Sequence, residues 1–133
     1  MVNRYLLDTH TFLWASYESR VFKLSEEVKR VIEDPAAELY ISSVSLFEIA
    51  NKYRIGKLPE YRSIAKNCTD AMEGLEAKEL PLDSRQAYLA GGLDWPHKDP
   101  FDRLLAAQAQ TENMTLITCD KAFDDAPGVN ILW

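Results

Sequence analysis

Apolar positions along this chain follow two rhythms. Five short runs rich in strand formers, RYLLD near residue 5, LYIS near 40, ELPL near 80, TLITC near 116 and VNILW at the end, are separated by longer stretches of helical spacing. SEEVKRVIED starts at Ser25, a good N-cap, and places Val28, Val31 and Ile32 on one face. SLFEIANKYRIG runs from Ser45 to a stop at Gly56. EYRSIAKNCTDAMEGLE predicts one longer helix, and DSRQAYLAGGL a shorter one ended by Gly91 and Gly92. FDRLLAAQAQTEN, rich in Ala, Leu and Gln, predicts the strongest helix. Strands alternating with helices pair in parallel through right-handed crossovers, which predicts a three-layer α/β/α architecture with helices on both sheet faces. No repeat, low-complexity tract or Gly/Ser-rich linker divides the chain, so residues 1–133 read as one domain.

In such a sheet, ligands bind beyond the carboxyl ends of the strands. Asp8 ends the first run, in LLDTH, and Asp120 ends the fourth, in LITCD. Ser42 and Ser43 end the second, and Glu48 is expected in the first turn of the helix that follows. Asp99 and Asp102 open the strongest helix, in HKDPFDRLLAAQA. Each acid has a local use. Asp8 and Asp120 suit strand-to-helix caps, and Ser45 with Glu48 reads as a capping box. Asp99 before Pro100 is a good N-cap, which puts Asp102 at N3, where the helix dipole favours negative charge.

A cap contributes about 1 kcal/mol, whereas two carboxylates about 4 Å apart repel by about 4 kcal/mol at an effective dielectric of 20. A converging set of acids therefore calls for a cation. All-oxygen ligation favours Mg²⁺, with Mn²⁺ as a substitute.

Composition narrows the setting. The chain has 133 residues, enough to bury a core, and 47% apolar content is ordinary for a globular protein. No apolar run is long enough to span a membrane, and MVNRYLLDTH turns polar too early for a secretory signal. Cys68 and Cys119 are too few for a zinc site or a disulfide framework, which points to the reducing cytoplasm. Cys119, inside an apolar stretch, reads as a small core residue. Twenty-one acids against fifteen bases give a net charge of −6. That balance disfavours nucleic acid unless a basic rim or a bound cation reverses the local sign.

LLDTHTFLW, ISSVSLFEIANKYRIGKL, HKDPFDRLLAAQA and LITCDKAF, in this order and spacing, resemble the PIN-domain family. Within it they are most similar to VapC-like ribonuclease toxins of type II toxin–antitoxin pairs, and the likeness runs from Asp8 to Trp133. The resemblance implies a five-stranded parallel sheet in the order 3-2-1-4-5, with Asp8 and Asp120 facing each other across the crevice between strands 1 and 4. It maps the family's four acids onto Asp8, Glu48, Asp102 and Asp120. It implies an Mg²⁺-dependent endoribonuclease that acts on RNA phosphodiesters, with a small antitoxin as partner and a homodimer or toxin–antitoxin hetero-oligomer as assembly. Asp8 and Asp102 are then the principal metal ligands, and Glu48 and Asp120 complete the site directly or through water. Asp99 ranks second, mainly as a cap. Thr9 and Thr118 either bond a ligand or water, or satisfy backbone.

The position before the fourth acid is basic in some relatives and is Cys119 here, which removes one phosphate contact. Lys52, Arg54, Lys57, Lys98, Arg103 and Lys121 lie close in sequence to the acids and offer a basic rim. Arg103, next to Asp102, is the first choice for RNA phosphate, with Lys52, Lys98 and Lys121 beside it. His10 and His97 read as surface or capping residues, since a metal-bound water needs no nearby imidazole. Phe12, Leu13, Trp14 and Tyr17 present either an antitoxin-docking surface or core packing. Two rival functions remain. A phosphohydrolase with Asp8 as nucleophile favours a D-x-D pattern, whereas this chain reads Asp8-Thr9-His10. A non-catalytic RNA- or protein-binding module on the same fold is the other.

Overall fold

The computed structural model describes residues 3–133. Its strands are β1 (Asn3–Leu7), β2 (Ala37–Ser42), β3 (Lys78–Leu80), β4 (Thr115–Ile117) and β5 (Asn130–Leu132). They form one sheet in the order β3-β2-β1-β4-β5, with every neighbouring pair parallel. The strand order reverses between β1 and β4, which opens a crevice at their carboxyl ends.

The helices are α1 (Thr9–Ser16), α2 (Glu26–Glu33), α3 (Ser43–Arg54), α4 (Arg62–Lys66), α5 (Cys68–Gly74), α6 (Ser84–Gly92) and α7 (Pro100–Glu112). Short 3₁₀ turns cover Glu18–Lys23, Pro59–Tyr61 and Lys121–Asp125.

Period-2 alternation divides the core between the two faces. Leu7, Ile41 and Ile117 are aligned across β1, β2 and β4 and pack with Phe12, Leu13, Val28 and Ile64 on one face. Leu6 and Leu116, one residue earlier in each strand, pack with Leu105, Ala106 and Phe123 on the other. Helix α3 serves both faces, through Val44 on one and Ile49 on the other. Phe12 and Leu13 are fully buried, so of the four residues offered as a docking surface these two are core. Trp14 and Tyr17 are half-buried against them.

Two local expectations need correction. The segment read as one helix over 60–76 breaks at Asn67, whose φ of −140° and ψ of 52° leave the helical region. Asn67, Cys68, Thr69 and Asp70 are all weak helix formers, and together they outweigh the apolar spacing. The second correction concerns α3, which starts two residues before the expected Ser45 cap. Ser42 is its N-cap, accepting from the Val44 N–H at 3.0 Å, and Glu48 lies in the second turn rather than the first.

A buried polar network fixes α6 and α7 to the sheet. Gln108 of the DRLLAAQA run is fully buried. It pairs with Ser42 Oγ and reaches the Leu80 carbonyl and Gln86 Oε1, each at 3.4 Å. Gln86 closes a capping box with Asp83.

Beyond α7, Gly128 turns the chain into β5 with φ of +68°, and a Cβ there would lie 2.6 Å from Gln110 Nε2. Gly128→Ala is expected to cost about 1–2 kcal/mol through the left-handed backbone alone. Urea denaturation measures it, and an unchanged midpoint would mean that the turn relaxes.

Candidate active site

Asp8 directly follows β1 and caps α1, with Oδ1 accepting from the Thr11 N–H at 2.7 Å. The Thr11 hydroxyl donates to the Ile117 carbonyl at 3.0 Å, and the Asp8 N–H donates to that same oxygen at 3.1 Å. The Asp8 cap is thus tied to the end of β4 across the crevice. Burial holds the Asp8 carboxyl above its ordinary range, against the lowering effect of the Thr11 and Thr118 hydrogen bonds.

Glu48 projects from α3 and is 6% exposed. The Thr9 hydroxyl donates to Glu48 Oε1 at 2.6 Å, and Lys52, one turn on, pairs with Oε2. Thr9 and Ser45 hydroxyls also meet at 2.9 Å, so Ser45 supports this contact instead of capping α3. Asp120 is exposed and caps the 3₁₀ turn after β4, accepting from the Ala122 N–H at 2.9 Å. The Thr118 hydroxyl beneath it accepts from the Asp120 N–H at 3.1 Å.

Asp99 caps α7 through Oδ1, which accepts from Phe101 N–H at 2.9 Å and Asp102 N–H at 3.2 Å. Asp102 follows at N3, where the local sequence pattern put it. Burial raises its carboxyl to about 6, the His97 hydrogen bond opposes that shift, and the charges of Asp99 and Asp120 add to it.

All five acids line one cleft of about 380 Å³. Lys52, Thr9, His10, Trp14 and Cys119 also line it. Cys119, expected in the core, is exposed here, because β4 ends at Ile117 and the chain has already left the sheet. Partial cover of its sulfur, with the Asp8 carboxylate, raises the thiol pKa, so the group stays a neutral and weak donor near pH 7. Among the described residues no three of His, Cys, Asp and Glu converge tightly enough to grip an ion by themselves.

The basic residues separate. Lys52 enters the cleft but is already paired with Glu48. Lys98 and Lys121 are exposed outside it, as are Arg54 and Lys57. Arg103, expected on RNA phosphate, directs its guanidinium inward instead. Nε donates to the Ala90 carbonyl at 2.9 Å, and the two terminal nitrogens to those of Gly91, Leu93, Trp95 and His97 at 2.7–3.4 Å. The end of α6 and the loop after it thus take up the donors a phosphate would need. His97, read as a surface or capping histidine, places Nε2 2.7 Å from Asp102 Oδ2.

Residues 5–129 match the family described as the PIN domain. The chain belongs to the PIN domain family. PIN domains are in general divalent-metal-dependent nucleases. The fold of this PIN domain matches that of VapBC2 from Rickettsia felis, solved with a DNA fragment of its promoter, at 16% identity and a TM-score of 0.68, over 97% of each chain. It also matches DNA-bound VapBC from Salmonella typhimurium, at 18% identity and a TM-score of 0.68, over 98% of this chain and 97% of that one. VapBC-1 from nontypeable Haemophilus influenzae matches at 17% identity and a TM-score of 0.61, over 97% and 96%. Comparison with curated proteins finds no significant match. Among the described residues no helix is long and apolar enough to cross a membrane.

Proposed function

We propose that this PIN domain is an Mg²⁺-dependent endoribonuclease and the toxin of a VapBC-type pair, with Mn²⁺ able to replace Mg²⁺. One observation carries the reading. Five carboxylates from four segments of the chain line a single cleft whose one lysine is already paired, and burial raises the carboxyl pKa of both Asp8 and Asp102. A cation there would relieve both costs at once.

The donor set fits a hard ion. Mg²⁺ is usually held by one or two carboxylates and completes its shell with water and substrate phosphate, so a tight protein cage is not needed. Asp8 and Asp102 are the proposed ligands, with Glu48 and Asp120 acting directly or through water. When bound, the ion lowers the pKa of a water and stabilises charge on the phosphate. The side chains around it hold the acids in place. Thr9 and Lys52 fix Glu48, Thr118 supports Asp8 and Asp120, and Asp99 sets the start of α7. Lys98 and Lys121, exposed near the acids in sequence, supply positive charge for the RNA backbone.

The toxin role, with a small antitoxin as partner, follows the toxin–antitoxin complexes whose folds match. A homodimer is supported by the exposed Phe47, packed on Phe101 beside Leu82 and Leu104. The cytoplasm is the proposed site of action.

Purified protein is expected to cleave single-stranded RNA with Mg²⁺ or Mn²⁺ and to stop in EDTA. Expression in bacteria is expected to arrest growth, and Asp8→Asn to relieve the arrest. RNA binding without metal-stimulated cleavage would favour a binding module. A trapped phospho-aspartate at Asp8 would favour a phosphohydrolase.

A further inference from the structure

Four of the five cleft acids have a holder close in the fold. Asp8, Asp99 and Asp120 each accept a backbone N–H of the turn they cap, and Glu48 is held by Thr9 and Lys52. Asp102 differs. Among the described residues its carboxylate is met by one group, the His97 imidazole, at 2.7 Å from Oδ2.

The imidazole is itself fixed. Its ring lies on Trp95 with centroids 4.8 Å apart, and Trp95, 5% exposed, packs on Phe123 at 5.6 Å. The His97 carbonyl accepts from Arg103 at 2.9 Å, and the Trp95 carbonyl accepts from the same nitrogen at 2.7 Å. Arg103 adjoins Asp102 on α7, so one helix carries both the carboxylate and the clamp on its histidine. A loop held at its carbonyls and its ring presents Nε2 at a set distance from Oδ2.

We infer that His97 is a positioning residue for the Asp102 carboxylate, donating Nε2–H to Oδ2 and leaving Oδ1 for a divalent cation. The inference rests on the metal-site reading above. Hydrogen-bonded partners of ligating groups set ligand orientation, and their loss typically weakens metal binding by about 10–100-fold. A different arrangement gives the opposite sign: an imidazole that merely fills the cation's place would be displaced by it, and its removal would tighten binding.

The test uses Mn²⁺ as the probe and reads free ion by its paramagnetic resonance signal, in wild type, His97→Phe and His97→Gln. Phenylalanine keeps the ring on Trp95 and removes the donor, whereas the glutamine amide reaches nearly as far as Nε2. His97→Phe is expected to weaken Mn²⁺ binding about 10–100-fold, and His97→Gln to recover most of the loss. Unchanged or tighter binding in His97→Phe overturns the inference, as does failure of His97→Gln to recover it. Nitrogen-15 NMR of the wild-type imidazole gives a reading that needs no variant: a proton on Nε2 supports the donation, and an unprotonated Nε2 overturns it. If wild type binds no Mn²⁺, the metal site itself fails, and this inference falls with it.

Discussion

Asp102→Asn is expected to abolish metal-dependent RNA cleavage while making the metal-free protein more stable at pH 7, by about 1–2 kcal/mol once solvent screening of this partly buried group is allowed for. The sign follows from burial. The Asp102 carboxyl is raised from 3.8 to about 6, so between those values the folded protein holds a proton that the unfolded chain releases. The Asp102 contribution to stability is therefore most favourable below the unfolded value, falls as pH rises through about 6, and stays lower above it. Asparagine has no charge to desolvate, and its side chain still fills N3 of α7. Urea denaturation of both proteins at pH 4, 5.5 and 7, without metal, should show wild type losing ground to the variant as pH rises. Added Mn²⁺ should raise the wild-type midpoint and leave the variant's where it was. A variant that is destabilised at every pH and still cleaves RNA would reduce Asp102 to a helix-end acid.

Arg103→Met is expected to lower stability by about 3–4 kcal/mol, and Arg103→Lys by somewhat less. Five carbonyl oxygens, from Ala90 at the end of α6 to His97 in the loop, share one guanidinium. Methionine preserves much of the packing volume but leaves those oxygens without their donor. A lysine ammonium is a point charge with three donors and cannot span the set. Denaturation midpoints report this directly. A residue that met RNA phosphate would behave otherwise: its loss would leave the free protein as stable as before and flatten the salt dependence of RNA binding.

What the chain discloses in one dimension and what it conceals divide along sequence distance. The strands are legible because Leu6 and Leu7, or Leu116 and Ile117, alternate faces within two residues. The caps at Asp8, Asp99 and Asp120 are legible because an acid, a proline or a strand end sits within three residues of the N–H it serves. The sheet order and the grouping of the four acids are legible only through the family likeness, since local spacing says nothing about which strand lies beside which. The inward turn of Arg103 is hidden in sequence because its partners lie in the preceding helix and loop, and a charge beside an acid looks the same whether it faces RNA or backbone. The His97 contact is hidden for a similar reason: the two residues stand five positions apart, and the loop between them bends back where Arg103 bonds its carbonyls. Asn67 interrupts a helix that apolar spacing alone would continue, and Cys119 lies beyond a strand that is shorter than its apolar run.

The pairing of β1 with β4 sets when the cleft can form. Tyr5 lies beside Thr115, so the first strand waits for some 110 residues of chain before its second neighbour exists. Long-range parallel pairing of this kind forms late, because loop closure must precede the contacts that reward it. Asp8 at the end of β1 and Asp120 after β4 are brought together by that pairing. The acid-lined cleft is complete only once β4 has joined the sheet, so whatever chemistry it carries is withheld until nearly all of the chain is in place.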